Sequence, residues 1–173
     1  IVWAINPQKE HLTDLAHRCR RFASDMLSAR NIELRFRAPG EEQNFRLGTE
    51  LRREVYLIFK ECVNNLARHS GATLAEIELE ANRRWLTLTV KDNGRGFDVA
   101  AVRNGSFQAE GDGNGLSSIQ LRAKRLGGAL EIVSNIGQGT TVTLRVPMNQ
   151  RHWLEKTETE NPRLRHRHKS DNR

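Results

Sequence analysis

The order in which hydrophobic periodicity changes along this chain limits its fold more than any other feature. Over residues 9–30, Leu12, Leu15, Ala16, Cys19, Phe22, Ala23, Met26 and Leu27 return at helical spacing, the stripe of an amphipathic helix. Ile32, Leu34 and Phe36 then alternate with polar residues until Pro39-Gly40, which predicts a half-buried strand. A second stripe, Leu51, Val55, Ile58, Phe59, Cys62, Val63 and Leu66, predicts a helix over 47–69 that Ser70-Gly71 stops. Strands are expected at 74–79 and 85–91, then a long loop rich in Gly, Asp and Asn over 92–115. A helix at 116–126, ended by Gly127-Gly128, precedes two closing strands at 129–134 and 140–146. This order, α-β-α-β-β-α-β-β, has few β-α-β crossovers and argues against a doubly wound sheet. The expected class is α/β, a two-layer sandwich with helices on one face of a mixed sheet.

Charge separates this unit from the C-terminal residues. The 173 residues carry a formal charge of +7, but residues 149–173 hold seven Lys/Arg against four Asp/Glu, leaving +4 on the first 148. That surplus suits a partner as anionic as a nucleotide. The tail, with Arg163, Arg165, Arg167 and Lys169, keeps open an alternative reading as a basic nucleic-acid-binding module whose affinity falls steeply with salt. No DNA-binding motif accompanies it. Residues 9–148 are expected to form the folded domain, preceded by residues 1–8, and 149–173 a basic polar extension expected to be disordered. No apolar run approaches the roughly 20 residues of a membrane span, so the domain is expected in the cytoplasm, with room for a membrane-anchored parent. Cys19 and Cys62 lack metal-type spacing and are expected to be small buried hydrophobes.

Three motifs carry chemistry. Glu61, Asn65 and His69 fall at steps of four on the second helix, and such steps keep side chains on one face. Glu54 and Arg68 share that stripe, which borders the apolar face like the rim of a pocket. The amide oxygen of Asn65 is a hard neutral donor suited to Mg²⁺, an ion that keeps waters and bridges phosphates. The carboxylate of Glu61 could position or activate a nucleophile. Next, Asp92-Asn93-Gly94-Arg95-Gly96 comes directly after a strand. An Asp there can accept a hydrogen bond from the adenine amino group, while Gly94 and Gly96 let backbone approach a flat base and adopt positive φ. Finally Gly111-Asp112-Gly113-Asn114-Gly115-Leu116 leads into a helix, whose N-terminal amides favour phosphate. Neither a Walker loop nor a complete dinucleotide fingerprint occurs.

Taken in order, Glu61…Asn65…His69, Asp92-Asn93-Gly94-Arg95-Gly96, Gly113-Asn114-Gly115-Leu116 and Gly139-Thr140 resemble the nucleotide-site boxes of the GHKL ATPases. These include the gyrase B subunit, a heat-shock chaperone family, the MutL proteins and the histidine kinases. The short span between the glycine boxes and the run Leu121-Arg122-Ala123-Lys124-Arg125-Leu126-Gly127-Gly128 resemble bacterial sensor histidine kinases, in particular the class that includes nitrate/nitrite sensors. The opening Ile1-Val2-Trp3-Ala4-Ile5-Asn6-Pro7 resembles the junction with the dimerisation helices. Gyrase and MutL relatives carry longer lids and a transducer domain, and the 121–128 run argues against a serine kinase of the anti-sigma type.

The resemblance implies a Bergerat-type sandwich binding Mg-ATP. Asn65 would ligate Mg²⁺, Asp92 would recognise adenine, and Gly94 and Gly96 would line the base. Gly113 and Gly115 would bound the ATP lid, Asn114 and Leu116 would join them in binding the nucleotide, Thr140 would support the adenine site, and Arg68 or His69 would touch phosphate. Glu61 matches an acid that acts as a base for water in hydrolysing relatives. The implied partners are a dimerisation domain bearing the phosphoacceptor histidine and a response regulator. No phosphoacceptor box is visible: His11 and His17 are expected to be ordinary exposed helix residues.

Overall fold

A computed structural model describes residues 11–40, 44–103 and 115–148. Along them run α1 (Leu12–Ser28), β1 (Glu33–Arg37), α2 (Thr49–Asn65), β2 (Leu74–Ala81), β3 (Trp85–Asp92), α3 (Val99–Arg103), α4 (Gly115–Arg125), β4 (Ala129–Ser134) and β5 (Thr140–Pro147). The strands form one sheet in the order β1-β2-β3-β5-β4. β1 lies parallel to β2, with Leu34 opposite Ala75. The β2–β3, β3–β5 and β4–β5 pairs are antiparallel. The expected mixed sheet is therefore present.

Period-two alternation decides which face is covered. In β2 and β3, Ala75, Ile77, Leu79, Ala81, Leu86, Leu88 and Val90 are buried, joined by Leu144 and Val146 of β5. Against them pack Leu15, Cys19 and Leu27 of α1, Val55, Ile58, Phe59 and Val63 of α2, and Ile119 and Ala123 of α4. Each fully buried Leu, Ile or Phe contributes roughly 1.5–3 kcal/mol. The outer face instead carries Arg35–Glu76 at 3.8 Å and Lys91–Glu76 at 3.4 Å. Exposed ion pairs of this kind contribute about 0–1 kcal/mol each, so the inner face holds the sandwich together. Cys19 and Cys62 are free and buried, as expected of small core hydrophobes. Burial pushes the Cys62 thiol up to about 12 and moves the Cys19 thiol the same way.

Element boundaries shift for local reasons. α1 begins at Leu12, where the His11 N–H donates to Asp14 at 3.3 Å and the Leu12 N–H to the Phe45 carbonyl at 2.9 Å. His11 thus precedes the helix, and His17 sits exposed upon it. α2 keeps α-geometry to Asn65 and then widens into one π-helical turn, Leu66–Ser70, that Gly71 ends at φ 62°. Within the expected 92–115 loop lies the short α3. Asp98 Oδ1 starts it by accepting the Ala100 and Ala101 N–H groups at 2.8 and 3.1 Å, the usual work of an Asp at a helix N-cap.

Candidate functional site

The ends of several elements converge at one end of the sheet. β3 finishes at Asp92, and β5 starts beside it at Thr140. β4 ends at Ser134, opposite the same Thr140. The π-turn of α2 arrives from the helical layer at Ser70, whose carbonyl accepts the Arg95 N–H at 2.8 Å.

Asp92 is the buried carboxylate of this end, 7% exposed. Its Oδ1 accepts the Gly94 N–H at 2.8 Å. Burial raises its pKa above the ordinary 3.8, and the N–H groups of Gly94 and Thr140 pull it partly back. The carboxylate therefore holds a charge in poorly solvated surroundings, and a ligand donor beside it would relieve that penalty.

The glycines of this box are required by neighbouring protein backbone. A Cβ on Gly94 would strike the Ser70 carbonyl oxygen, and one on Gly96 the Asn135 carbonyl. Gly96 has φ +60°, a conformation costly for any residue bearing a Cβ. Gly94 does not share it, so the expectation of positive φ holds at one of the two.

Ser134, which sequence reasoning did not single out, stands at the same sheet end. Its buried Oγ accepts the Phe97 N–H at 2.9 Å and lies 3.1 Å from the Gly139 carbonyl and 3.0 Å from Thr140 Oγ1. It joins the segment after Gly96 to the β4–β5 hairpin and holds the Thr140 hydroxyl beside Asp92. A lone serine closing a strand gives no sequence signal for such a role.

Glu61 and Asn65 are half-buried on α2. α4 reaches them with its first residue: a Cβ on Gly115 would strike Glu61 Oε1 and lie 3.6 Å from Asn65 Nδ2. The predicted stripe thus borders the start of α4, two chemistries that sequence had placed in separate motifs. Leu116 packs half-buried against the core. Arg68 and His69 are exposed on the π-turn. Among the described residues neither hydrogen-bonds nor ion-pairs with Glu61, Asn65 or Asp92. Gly113 and Asn114, like the junction 1–8 and the extension 149–173, lie outside the described residues.

Glu54 turns inward instead of rimming a pocket. It is 3% exposed, and its Oε2 accepts Arg122 Nη1 of α4 at 2.8 Å. Arg53 Nε approaches the other oxygen at 3.4 Å. For a cation, the described residues contain no cluster of three or more His, Cys, Asp or Glu side chains. One amide and one carboxylate suit Mg²⁺ that keeps waters and phosphate oxygens, and would be too few for an all-protein cage.

Comparison with known proteins gives a consistent picture. Residues 50–150 match the family of histidine kinase-, DNA gyrase B- and HSP90-like ATPases. The chain is 29% identical over 121 residues to the histidine-protein kinase/phosphatase DegS of Bacillus subtilis, covering 68% of this chain and 30% of DegS. To the sensor histidine kinase LiaS of the same organism it is 34% identical over 94 residues, 54% of this chain and 24% of LiaS. It therefore spans under a third of the length of these relatives. Its fold superposes with TM-score 0.62 on the histidine kinase domain of the Erythrobacter litoralis blue-light activated kinase, at 21% identity, covering 79% of this chain and 62% of that one. No helix among the described residues is long and apolar enough to cross a membrane.

Proposed function

Because the chain belongs to the family of histidine kinase-, DNA gyrase B- and HSP90-like ATPases, we propose that it is the ATP-binding catalytic domain of a bacterial sensor histidine kinase. It holds Mg-ATP for transfer of the γ-phosphoryl group to a histidine on a dimerisation domain of a longer parent, and from there to an aspartate of a response regulator. Support for the kinase branch comes from DegS and LiaS. The nitrate/nitrite-sensor-like class is supported by the Leu121–Gly128 run and by residues 1–7.

The observation that carries this reading is the convergence of two chemistries at one sheet end. Asp92, buried beside Thr140, is an acceptor for the adenine amino group, with Gly94 and Gly96 lining the base. Glu61 and Asn65, with Gly115 set against them, form the phosphate end. When bound, Mg²⁺ supplies charge neutralisation at the phosphates. Asn65 would hold it through its amide oxygen, and Glu61 would stand beside it as the counterpart of the acid that is a base for water in hydrolysing relatives. The N-terminal amides of α4, beginning at Gly115, face anionic oxygens. Arg68 and His69, exposed at the end of α2, are free to reach the outer phosphate. Gly113 and Gly115 are assigned to the bounds of the ATP lid, and Asn114 and Leu116 to nucleotide binding.

Calorimetric titration of the chain with a non-hydrolysable ATP analogue, with and without Mg²⁺, tests this. Saturable binding that Mg²⁺ strengthens and a GTP analogue does not reproduce is the expected result. Absence of binding at millimolar nucleotide would defeat the reading. Salt-sensitive binding to duplex DNA in its place would favour the basic-module alternative.

A further inference from the structure

Glu54 and Arg122 lie 68 residues apart in sequence and meet at 2.8 Å, with the Glu54 side chain 5% exposed and that of Arg122 27% exposed. Burying this charge pair in place of apolar side chains brings little stability, because desolvation offsets most of the attraction. The best attested use of such a pair is to fix the register of the elements it joins. The second contact between the same two helices shows what register is being fixed. Glu61 on α2 meets Gly115 on α4, while Glu54 on α2 meets Arg122 on α4. In each helix the two positions are seven residues apart, two turns or about 10.5 Å. The helices run antiparallel, so equal spacing makes the contacts two rungs of one ladder. Between them Ile58 and Ile119 are both buried.

Resting on the nucleotide-binding reading above, we infer that Glu54 and Arg122 form a positioning pair that sets where the first turn of α4 stands against Asn65 and Glu61, and thereby tunes the phosphate end of the site alone. Glycine at 115 brings the helix start to the Glu61 carboxylate and the Asn65 amide but gives no directional bond to hold it there. The apolar layer between the rungs resists separation, yet it tolerates small sliding and rotation. The bonded guanidinium supplies the missing direction. It lies two turns from Gly115 along α4. Asp92, Thr140 and Ser134 are held by the β3–β5 and β4–β5 ladders and do not depend on this pair.

The test is a double-mutant cycle of Glu54→Gln, Arg122→Met and the double variant in the full chain. Calorimetry reads two ratios for each: the factor by which Mg²⁺ strengthens binding of a non-hydrolysable ATP analogue, and the preference for that analogue over its GTP counterpart. Each single variant is expected to lower the Mg²⁺ factor by about tenfold, the double variant no further, with base preference unchanged. Equal loss of both ratios, additive losses, or an unchanged Mg²⁺ factor would each overturn the inference. Should Glu54→Gln or Arg122→Met not fold, Arg122→Lys keeps the charge without the planar fork. It is then read by the same two ratios, with a lowered Mg²⁺ factor expected and an unchanged one overturning. Wild-type protein that binds no nucleotide would defeat the underlying reading instead, so the two failures are distinguishable.

Discussion

Asp92 holds its charge against its surroundings. Burial raises the carboxyl pKa in the folded chain, so between the unfolded and folded values the native state binds more protons than the unfolded one. Stability therefore falls as pH rises through that window and levels off above the folded value. Asp92→Asn removes the penalised charge while keeping an oxygen acceptor for the Gly94 N–H. Its melting temperature at neutral pH is expected to equal or exceed that of wild type. Its preference for ATP over GTP is expected to disappear, since the amide presents a donor as well as an acceptor. In the unmodified chain, base preference should weaken on acidification at a pH above the ordinary aspartate range, read by titrations across pH. Asp92, Asn65 and Glu61 were legible in sequence as candidates, because the chemistry proposed for them depends on residue type within a local motif. Ser134 was not, because its role exists only once the segment at Phe97 and the hairpin at Gly139 meet around it.

At the scale of elements, α2 divides its labour by face. Phe59 lies fully buried and stacks against Tyr56 at 6.3 Å between ring centroids, whereas Asn65 is half-buried and faces Gly115. Phe59→Ala is expected to cost about 3–5 kcal/mol in denaturant unfolding, through lost transfer energy and the cavity left behind. Asn65→Ala should change stability by about 0.5 kcal/mol or less yet abolish most of the Mg²⁺ enhancement of nucleotide binding. A similar loss of stability in both would show that Asn65 is packing and not ligating. The long elements were legible because periods of 3.6 and 2 persist over many residues. α3 is five residues long, too short for a period to declare itself, although Asp98 ahead of it is the cap signal. The π-turn needed tertiary information: the Ser70 hydroxyl bonds to the Leu66 carbonyl at 2.7 Å, and the Ser70 carbonyl is taken by Arg95. Glu54 was placed on the correct helical face, but its turn inward came from Arg122, which no local pattern links to it.

Across the whole molecule, charge and site are unevenly distributed. The family match ends at residue 150, and residues 149–173 carry +3 of the +7. Deleting residues 149–173 is expected to leave affinity for the ATP analogue within about twofold, because every proposed site residue precedes them and long-range attraction from a +3 excess is screened at ordinary ionic strength. A larger loss in calorimetry would make the extension part of the site. The sandwich itself could be read from sequence because one sheet face alternates so regularly. The crossing of α4 over α2 could not, since partners 68 residues apart leave no mark on either local pattern.

The position of β3 has a consequence for motion. It is the middle strand of five, hydrogen-bonded along its length to β2 on one side and β5 on the other, and Leu86, Leu88 and Val90 anchor its inner face. Its amides should exchange with deuterium only through global opening, while those of β1 and β4, at the sheet edges, exchange through cheaper local events. Asp92 stands at the tip of this slowest element. The group proposed to read the base is carried on the part of the molecule expected to fluctuate least, so on that reading the edges can breathe without blurring the choice of nucleotide.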